Sequence, residues 1–116
     1  MFVMQYRTYK ETMLPQMVRL WKEEAVRIRY KAYDSPEEWK AELLDKPDFD
    51  PEGCILAFTD SGSLAGFAAA ISQKEFLPGQ NRDNTPGYIF LLVVKEEYEG
   101  RGVGSSLLEK AEAFLK

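Results

Sequence analysis

The run from Tyr88 to Val94 is apolar or aromatic throughout and does not alternate, and soon after it come three glycines spaced two apart, Gly100, Gly102 and Gly104. A short, β-branched and aromatic run of this kind fits a strand buried on both faces. Beyond the turn from Lys95 to Arg101, the residues Leu107, Leu108, Ala111, Phe114 and Leu115 recur at helical spacing, so a helix starts near Gly102. A covered strand, a glycine turn and a helix form the unit around which the rest of the chain must be arranged.

Such a turn has a chemistry of its own. The first backbone N–H groups of a helix lack intrahelical partners, and the helix dipole favours an anion beside them. Gly100, Gly102 and Gly104 carry no Cβ, so a ligand can come close to the backbone, and the hydroxyls of Ser105 and Ser106 add donors. The segment is suited to hold a phosphate. Two familiar phosphate loops do not fit it: a Walker loop needs a lysine before its Ser/Thr, whereas Ser105 follows Gly104 directly, and a dinucleotide fingerprint needs glycine where Ser105 stands.

Upstream, Phe2 to Tyr9 has a loose period of two and reads as a half-buried strand. A helix follows, with Thr12 as its expected N-cap and Leu14, Met17, Val18, Trp21 and Ala25 on its apolar face. Arg27, Arg29 and Lys31 alternate with apolar residues and are expected to lie in a solvated turn. Ser35-Pro36-Glu37-Glu38 is a capping box with proline at the first helical position, and Trp39, Leu43 and Leu44 give the second helix its apolar face. This helix should stop near Asp45, because Pro47 disfavours helical geometry at Lys46. Cys54 to Phe58, a turn over Thr59 to Ser63, and Leu64 to Ile71 read as a hairpin. The stretch from Lys74 to Gly87 is a long loop with Phe76 and Leu77 as its apolar anchors. Trp21, Trp39, Phe67 and Phe90 fall on periodic apolar faces and are expected in the core.

Composition narrows the function. A chain of 116 residues is expected to form a single domain. It has no histidine, which removes Ser-His-Asp and Cys-His nucleophile systems, imidazole bases and His-liganded metal sites together. With 15 basic and 19 acidic residues it lacks the positive excess that nucleic-acid binding needs. No apolar run approaches the roughly 20 residues of a membrane span, and Gln5 and Arg7 interrupt the start where a signal peptide would be apolar. Neither nucleic acid nor membrane is an expected partner, and the expected location is cytoplasmic. The lone Cys54 agrees with a reducing compartment and reads as a small core residue, since nothing near it in sequence would depress its pKa.

The segment from Leu91 to Leu108 resembles motif A of the GCN5-related N-acetyltransferase (GNAT) family, whose pattern is Arg/Gln-x-x-Gly-x-Gly/Ala after a strand with Leu-x-Val. Leu92-Val93-Val94 matches the strand part, Glu99-Gly100-Arg101-Gly102-Val103-Gly104 the loop, and Leu107-Leu108 the core leucines of the helix. The order of elements is also similar to the first half of that family, and Phe49-Asp50-Pro51-Glu52-Gly53 is similar to the approach to its second strand. The resemblance implies an α/β (α+β) fold of the acyl-CoA N-acyltransferase type, with a mainly antiparallel sheet flanked by helices. It implies acetyl-CoA as co-substrate, with the backbone of Leu92, Val93 and Val94 on the pantetheine arm and Gly100, Arg101, Gly102, Val103, Gly104 and Ser105 around the pyrophosphate. An amine of a small molecule or peptide would attack the thioester carbonyl directly, a reaction that needs a base and a polarised carbonyl more than a covalent nucleophile.

Glu99 departs from the pattern, because Arg or Gln is usual there. A carboxylate beside pyrophosphate is repulsive, Arg101 is expected to compensate, and Glu99→Gln is expected to tighten CoA binding. No catalytic residue is assigned: Glu75, Glu96 and Glu97 are candidate bases by position alone. No metal site is expected. The family continues beyond the motif A helix with further strands and a helix, so residues 1–116 are expected to be the N-terminal portion of a GNAT-like domain. An uncovered edge on the strand from Tyr88 to Val94 then implies dimerisation through this strand or the last helix, or pairing with a C-terminal half. Two other functions stand beside this one: a non-catalytic acyl-CoA-binding or interaction module, and a small nucleotide binder.

Overall fold

Cys54, Leu56 and Phe58 point to one side of their strand and Ile55 and Ala57 to the other, and all five are buried. A strand with no polar side needs a layer on each face. The computed structural model, which describes residues 4–25, 27, 35–45, 49–72, 77–80 and 87–115, supplies both.

Four strands form one sheet in chain order: β1 (Gln5–Thr8), β2 (Cys54–Phe58), β3 (Leu64–Ile71) and β4 (Tyr88–Val94). Every neighbouring pair is antiparallel, with Leu56 opposite Phe67 and Phe67 opposite Val93. Helices α1 (Leu14–Glu24) and α2 (Pro36–Leu43) cover one face, where Met17, Leu20, Trp21 and Trp39 meet Leu56, Phe67, Leu91 and Val93. Helix α3 (Val103–Leu115) covers the other, setting Val103, Leu107 and Ala111 on the small side chains of Ala57, Ala68 and Ala70. Large rings fill the first layer: the indole of Trp39 is fully buried, edge-on to Trp21 at 5.7 Å and to Phe67 at 6.1 Å.

The hairpin, β4 and α3 lie where the sequence places them. Ser35 caps α2, its Oγ accepting from the Glu38 N–H at 3.1 Å, and Pro36 opens the helix. Thr12 does not cap α1. A short 3₁₀ turn, Glu11–Met13, leads into α1 with Met13 already at helical angles, so no extended residue remains to present a side-chain oxygen to the first turn. Leu77 is 67% exposed and anchors nothing, while Phe76 lies outside the described residues.

Burial of β4 on both faces needs correction. Leu91 and Val93 are buried, Tyr88 is 60% exposed, and the other residues are half-buried. Among the described strands β4 is an end strand, flanked by β3 alone. Its missing alternation has a further cause, a β-bulge. Ala69 faces Leu91 whereas Ala70 faces Ile89, so Phe90 is the extra residue, and Phe90 and Leu91 both pack toward the α1 side. Among the described residues, no helix is long and apolar enough to cross a membrane.

The indole Nε1 of Trp39 is buried without a hydrogen-bond partner. Because the whole ring is nonetheless buried, Trp39→Ala should lower unfolding free energy by about 3–5 kcal/mol in urea denaturation. Trp39→Phe should cost clearly less, because it keeps a ring between Trp21 and Phe67 and removes the unmatched N–H.

Candidate functional site

The site grows out of the end of β4. The Lys95 N–H donates to Ala65 O at 2.8 Å, which ties the exit of the strand to β3. A 3₁₀ turn, Glu96–Tyr98, then brings the chain to Gly100 and Gly102, at φ +77° and +84°. Both are left-handed positions that cost an L-residue about 1–2 kcal/mol, so glycine here is a backbone requirement. The turn delivers the chain into α3, where the Ser106 N–H donates to Gly102 O at 3.0 Å. The preceding N–H groups lie ahead of the intrahelical ladder and are free of it.

Val94, Glu99, Gly100, Gly102, Gly104 and Ser105 line a cavity of about 220 Å³ at this helix start. Five of the expected residues thus come together in one place. Arg101 is exposed on the turn and does not line the cavity. Val103 is buried on the inner face of α3, Val93 points into the α1 layer, and Leu92 packs on the α3 side, so the side chains of these three are structural and their backbone alone can serve a ligand. A wider depression of about 420 Å³ lies between Arg7, Gln16 and Asp60, and the start of α3 has no part in it.

A carboxylate that the sequence reading missed holds this corner together. Glu24 is only 6% exposed. One of its oxygens accepts from the Glu96 N–H at 2.8 Å and the other from Arg27 Nε at 2.9 Å. Arg27 spreads over the same corner, donating through Nη1 to Glu99 Oε1 at 2.6 Å and through Nη2 to Val94 O at 2.9 Å. Burial alone would raise the Glu24 carboxyl, but the Glu96 N–H and the Arg27 guanidinium outweigh it and hold the group below its ordinary value of 4.5. The sequence did carry a signal: Glu24 stands three residues after Trp21, four after Leu20 and seven after Met17, on the apolar face of α1.

These contacts correct two expectations. Arg27 is not part of a merely solvated turn, because it joins α1 to the end of β4; Arg29 and Lys31 lie outside the described residues. The cation paired with Glu99 is Arg27 rather than Arg101, so the premise that an unpaired carboxylate faces the cavity does not hold.

Among the candidate bases, Glu97 pairs with Lys95 at 3.1 Å, Glu96 contributes its backbone N–H to Glu24, and Glu75 lies outside the described residues. Cys54 is a core residue whose thiol is pushed up to about 12 by burial, which leaves it inert as a nucleophile. Among the described residues, no group of three or more His, Cys, Asp or Glu is placed to hold a metal ion.

Residues 14–116 match the sequence model of the acetyltransferase (GNAT) family. The chain belongs to the GNAT family. Its fold is found in a GNAT-family acetyltransferase of Staphylococcus aureus Mu50, with a TM-score of 0.70 at 15% identity, over 97% of this chain and 66% of that one. A GCN5-related N-acetyltransferase of Sphaerobacter thermophilus is similar at a TM-score of 0.72 and 16% identity, over 97% of this chain and 32% of that one. AAC(6')-Iy, solved with the bisubstrate analogue CoA-S-monomethyl-acetylneamine, gives a TM-score of 0.68 at 18% identity, over 97% of this chain and 71% of that one. The chain therefore spans two thirds or less of the first two GNAT structures. No match is found among curated proteins.

Two variants probe the corner. Glu24→Gln should lower stability at neutral pH by about 1–3 kcal/mol. Because the folded-state pKa of Glu24 is depressed, its contribution is full above the ordinary carboxylate value and is lost as the pH falls through the folded value. The gap between the wild type and Glu24→Gln in denaturation midpoints should accordingly close in acid, and a gap independent of pH would contradict the assignment. Gly102→Ala should cost about 1–2 kcal/mol in the same measurement, because its φ of +84° disfavours any Cβ.

Proposed function

We propose that this chain binds acetyl-CoA at the turn between β4 and α3 and acts as the acetyl-CoA half of an N-acetyltransferase that acetylates an amine. The observation carrying this reading is the pair of left-handed glycines that opens a 220 Å³ cavity against the first turn of α3. The pyrophosphate would take the N–H groups from Gly100 to Ser105, Arg101 and Val103 contributing through backbone. The pantetheine arm would run along the backbone of Leu92, Val93 and Val94. Val94 O already accepts from Arg27, so Arg27 marks the end of that track.

In the reaction we propose, the amine nitrogen attacks the thioester carbonyl, the C–S bond breaks, and CoA leaves as the thiol after a proton passes to sulfur. Positioning of the thioester supplies much of the rate in such a transfer, and a base that deprotonates the ammonium supplies the rest. The acceptor class proposed is a small-molecule or peptide amine. Of the proteins that share the fold, AAC(6')-Ih of Acinetobacter baumannii is an aminoglycoside antibiotic 6'-N-acetyltransferase, and AAC(6')-Iy was solved with a CoA-linked acetylneamine analogue. We place the protein in the cytoplasm, and assign the outer edge of β4 to a second copy or to a C-terminal half of the domain.

One observation favours a second reading. Glu99, the carboxylate lining the cavity, is engaged by Arg27, and no described group there is left as a base, which is what a non-catalytic acyl-CoA-binding module would show.

Isothermal calorimetry with CoA tests the shared part of both readings. Gly104→Val is the informative variant, because a Cβ at residue 104 meets only Val94 Cγ2 at an ordinary 3.5 Å and valine is a better helix former than glycine. It should keep the thermal midpoint of the wild type while weakening CoA about tenfold or more. Unchanged affinity would remove the cavity from the CoA site. Acetyl transfer to an amine panel then separates enzyme from module: CoA binding without transfer supports the module.

A further inference from the structure

Glu99 poses an electrostatic problem that its partner solves. It lines the cavity, and an ionised carboxylate there would repel any anion held by the start of α3. Yet Glu99 Oε1 sits 2.6 Å from Arg27 Nη1. Arg27 itself is not free to drift. Its Nε is held by the buried Glu24 at 2.9 Å and its Nη2 by Val94 O at 2.9 Å, so three acceptors, on α1, on β4 and on the turn at Glu99, fix the plane of the guanidinium. A guanidinium held as a fork keeps its charge in one place, which a flexible lysine would not do.

We infer that Arg27 is a positioning residue for the anion cradle, which neutralises Glu99, draws its carboxylate toward the end of α1 and keeps the end of β4 at the height of the glycine turn. This rests on the proposed acetyl-CoA site and adds to it the residue that makes a carboxylate tolerable at the motif position. Where the family pattern has Arg or Gln, this chain has a carboxylate whose countercharge comes from Arg27, just beyond α1 and 72 residues away in sequence.

The test is a double-mutant cycle read by calorimetry with CoA, at low and at physiological ionic strength, on wild type, Arg27→Gln, Glu99→Gln and the double variant. A second arm titrates inorganic pyrophosphate while the amide resonances of Gly100 and Gly102 are followed. Arg27→Gln should weaken CoA about tenfold at low salt, with a smaller loss at higher salt, where a Debye length of about 8 Å screens the exposed carboxylate. Glu99→Gln should bind no more weakly than wild type, and the double variant should recover most of the loss. Arg27→Lys, which keeps the charge and loses the fork, should fall between wild type and Arg27→Gln, and it serves in place of Arg27→Gln if that variant does not fold.

A loss at Arg27→Gln that is independent of salt and not rescued by Glu99→Gln overturns the proposal in favour of a purely structural arginine. So does an affinity that ignores Arg27 altogether, which leaves the acetyl-CoA reading standing. If the wild type takes pyrophosphate but not CoA, the acetyl-CoA reading falls and the same cycle is read on pyrophosphate. If it takes neither, both fall.

Discussion

The corner where α1 meets the end of β4 depends on a single buried carboxylate. Leaving a charge in a dry helix face is costly unless the charge is matched, and Glu24 is matched twice, by a backbone N–H from the segment after β4 and by a guanidinium. Both partners come from chain that has no packing reason to be there, because Glu96 and Arg27 are exposed residues. The demand of Glu24 for hydrogen bonds therefore draws the segment leading to the glycine turn onto the helical layer. Hydrophobic burial sets where the sheet and helices lie, whereas this polar contact sets where the turn lies relative to them.

Legibility in the sequence followed the range of the interaction. Ser35 and Pro36 act on residues within one helical turn, and the hairpin of β2 and β3 closes over five residues, Thr59 to Ser63, so the local pattern places both. The glycine turn was legible for the same reason, since its geometry is set by Gly100 and Gly102 themselves. The pairing of Arg27 with Glu99 spans 72 residues and leaves no periodic trace. Arg27 looked like one of several basic residues in a turn, because what distinguishes it is the neighbour that the fold brings to it. Glu24 is intermediate: its place on the apolar face was readable, but its partners were not.

The capping of α1 shows a local rule overridden. Thr12 has the right side chain in the right region, but the chain tightens into a 3₁₀ turn before the helix and leaves the hydroxyl without a role as a cap. Pro15, which gives up no hydrogen bond in a first turn, accommodates that lead-in. The two faces of the sheet likewise answer to different side chains. Bulky indoles and Phe67 fill the α1 side, and small alanine side chains lie under α3 on the other, so the helix that opens the candidate site is seated on the least bulky face of the sheet.

The bulge at Phe90 sets a parity. Side chains along a strand alternate, and the extra residue inverts that order once, so that Leu91 and Val93 belong to the α1 layer while Leu92 and Val94 belong to the layer of α3. The glycine turn leaves β4 at the phase thus set, and α3 is delivered to the side opposite α1. Removing Phe90 itself would restore plain alternation and leave every other residue in its layer, whereas adding or removing a residue elsewhere between Tyr88 and Val94, with the bulge kept, would exchange the layers served by the residues beyond the change. The bulge is thus the one place in β4 where a single residue is absorbed, and it keeps the first half of the strand and the helix start after it in phase with each other.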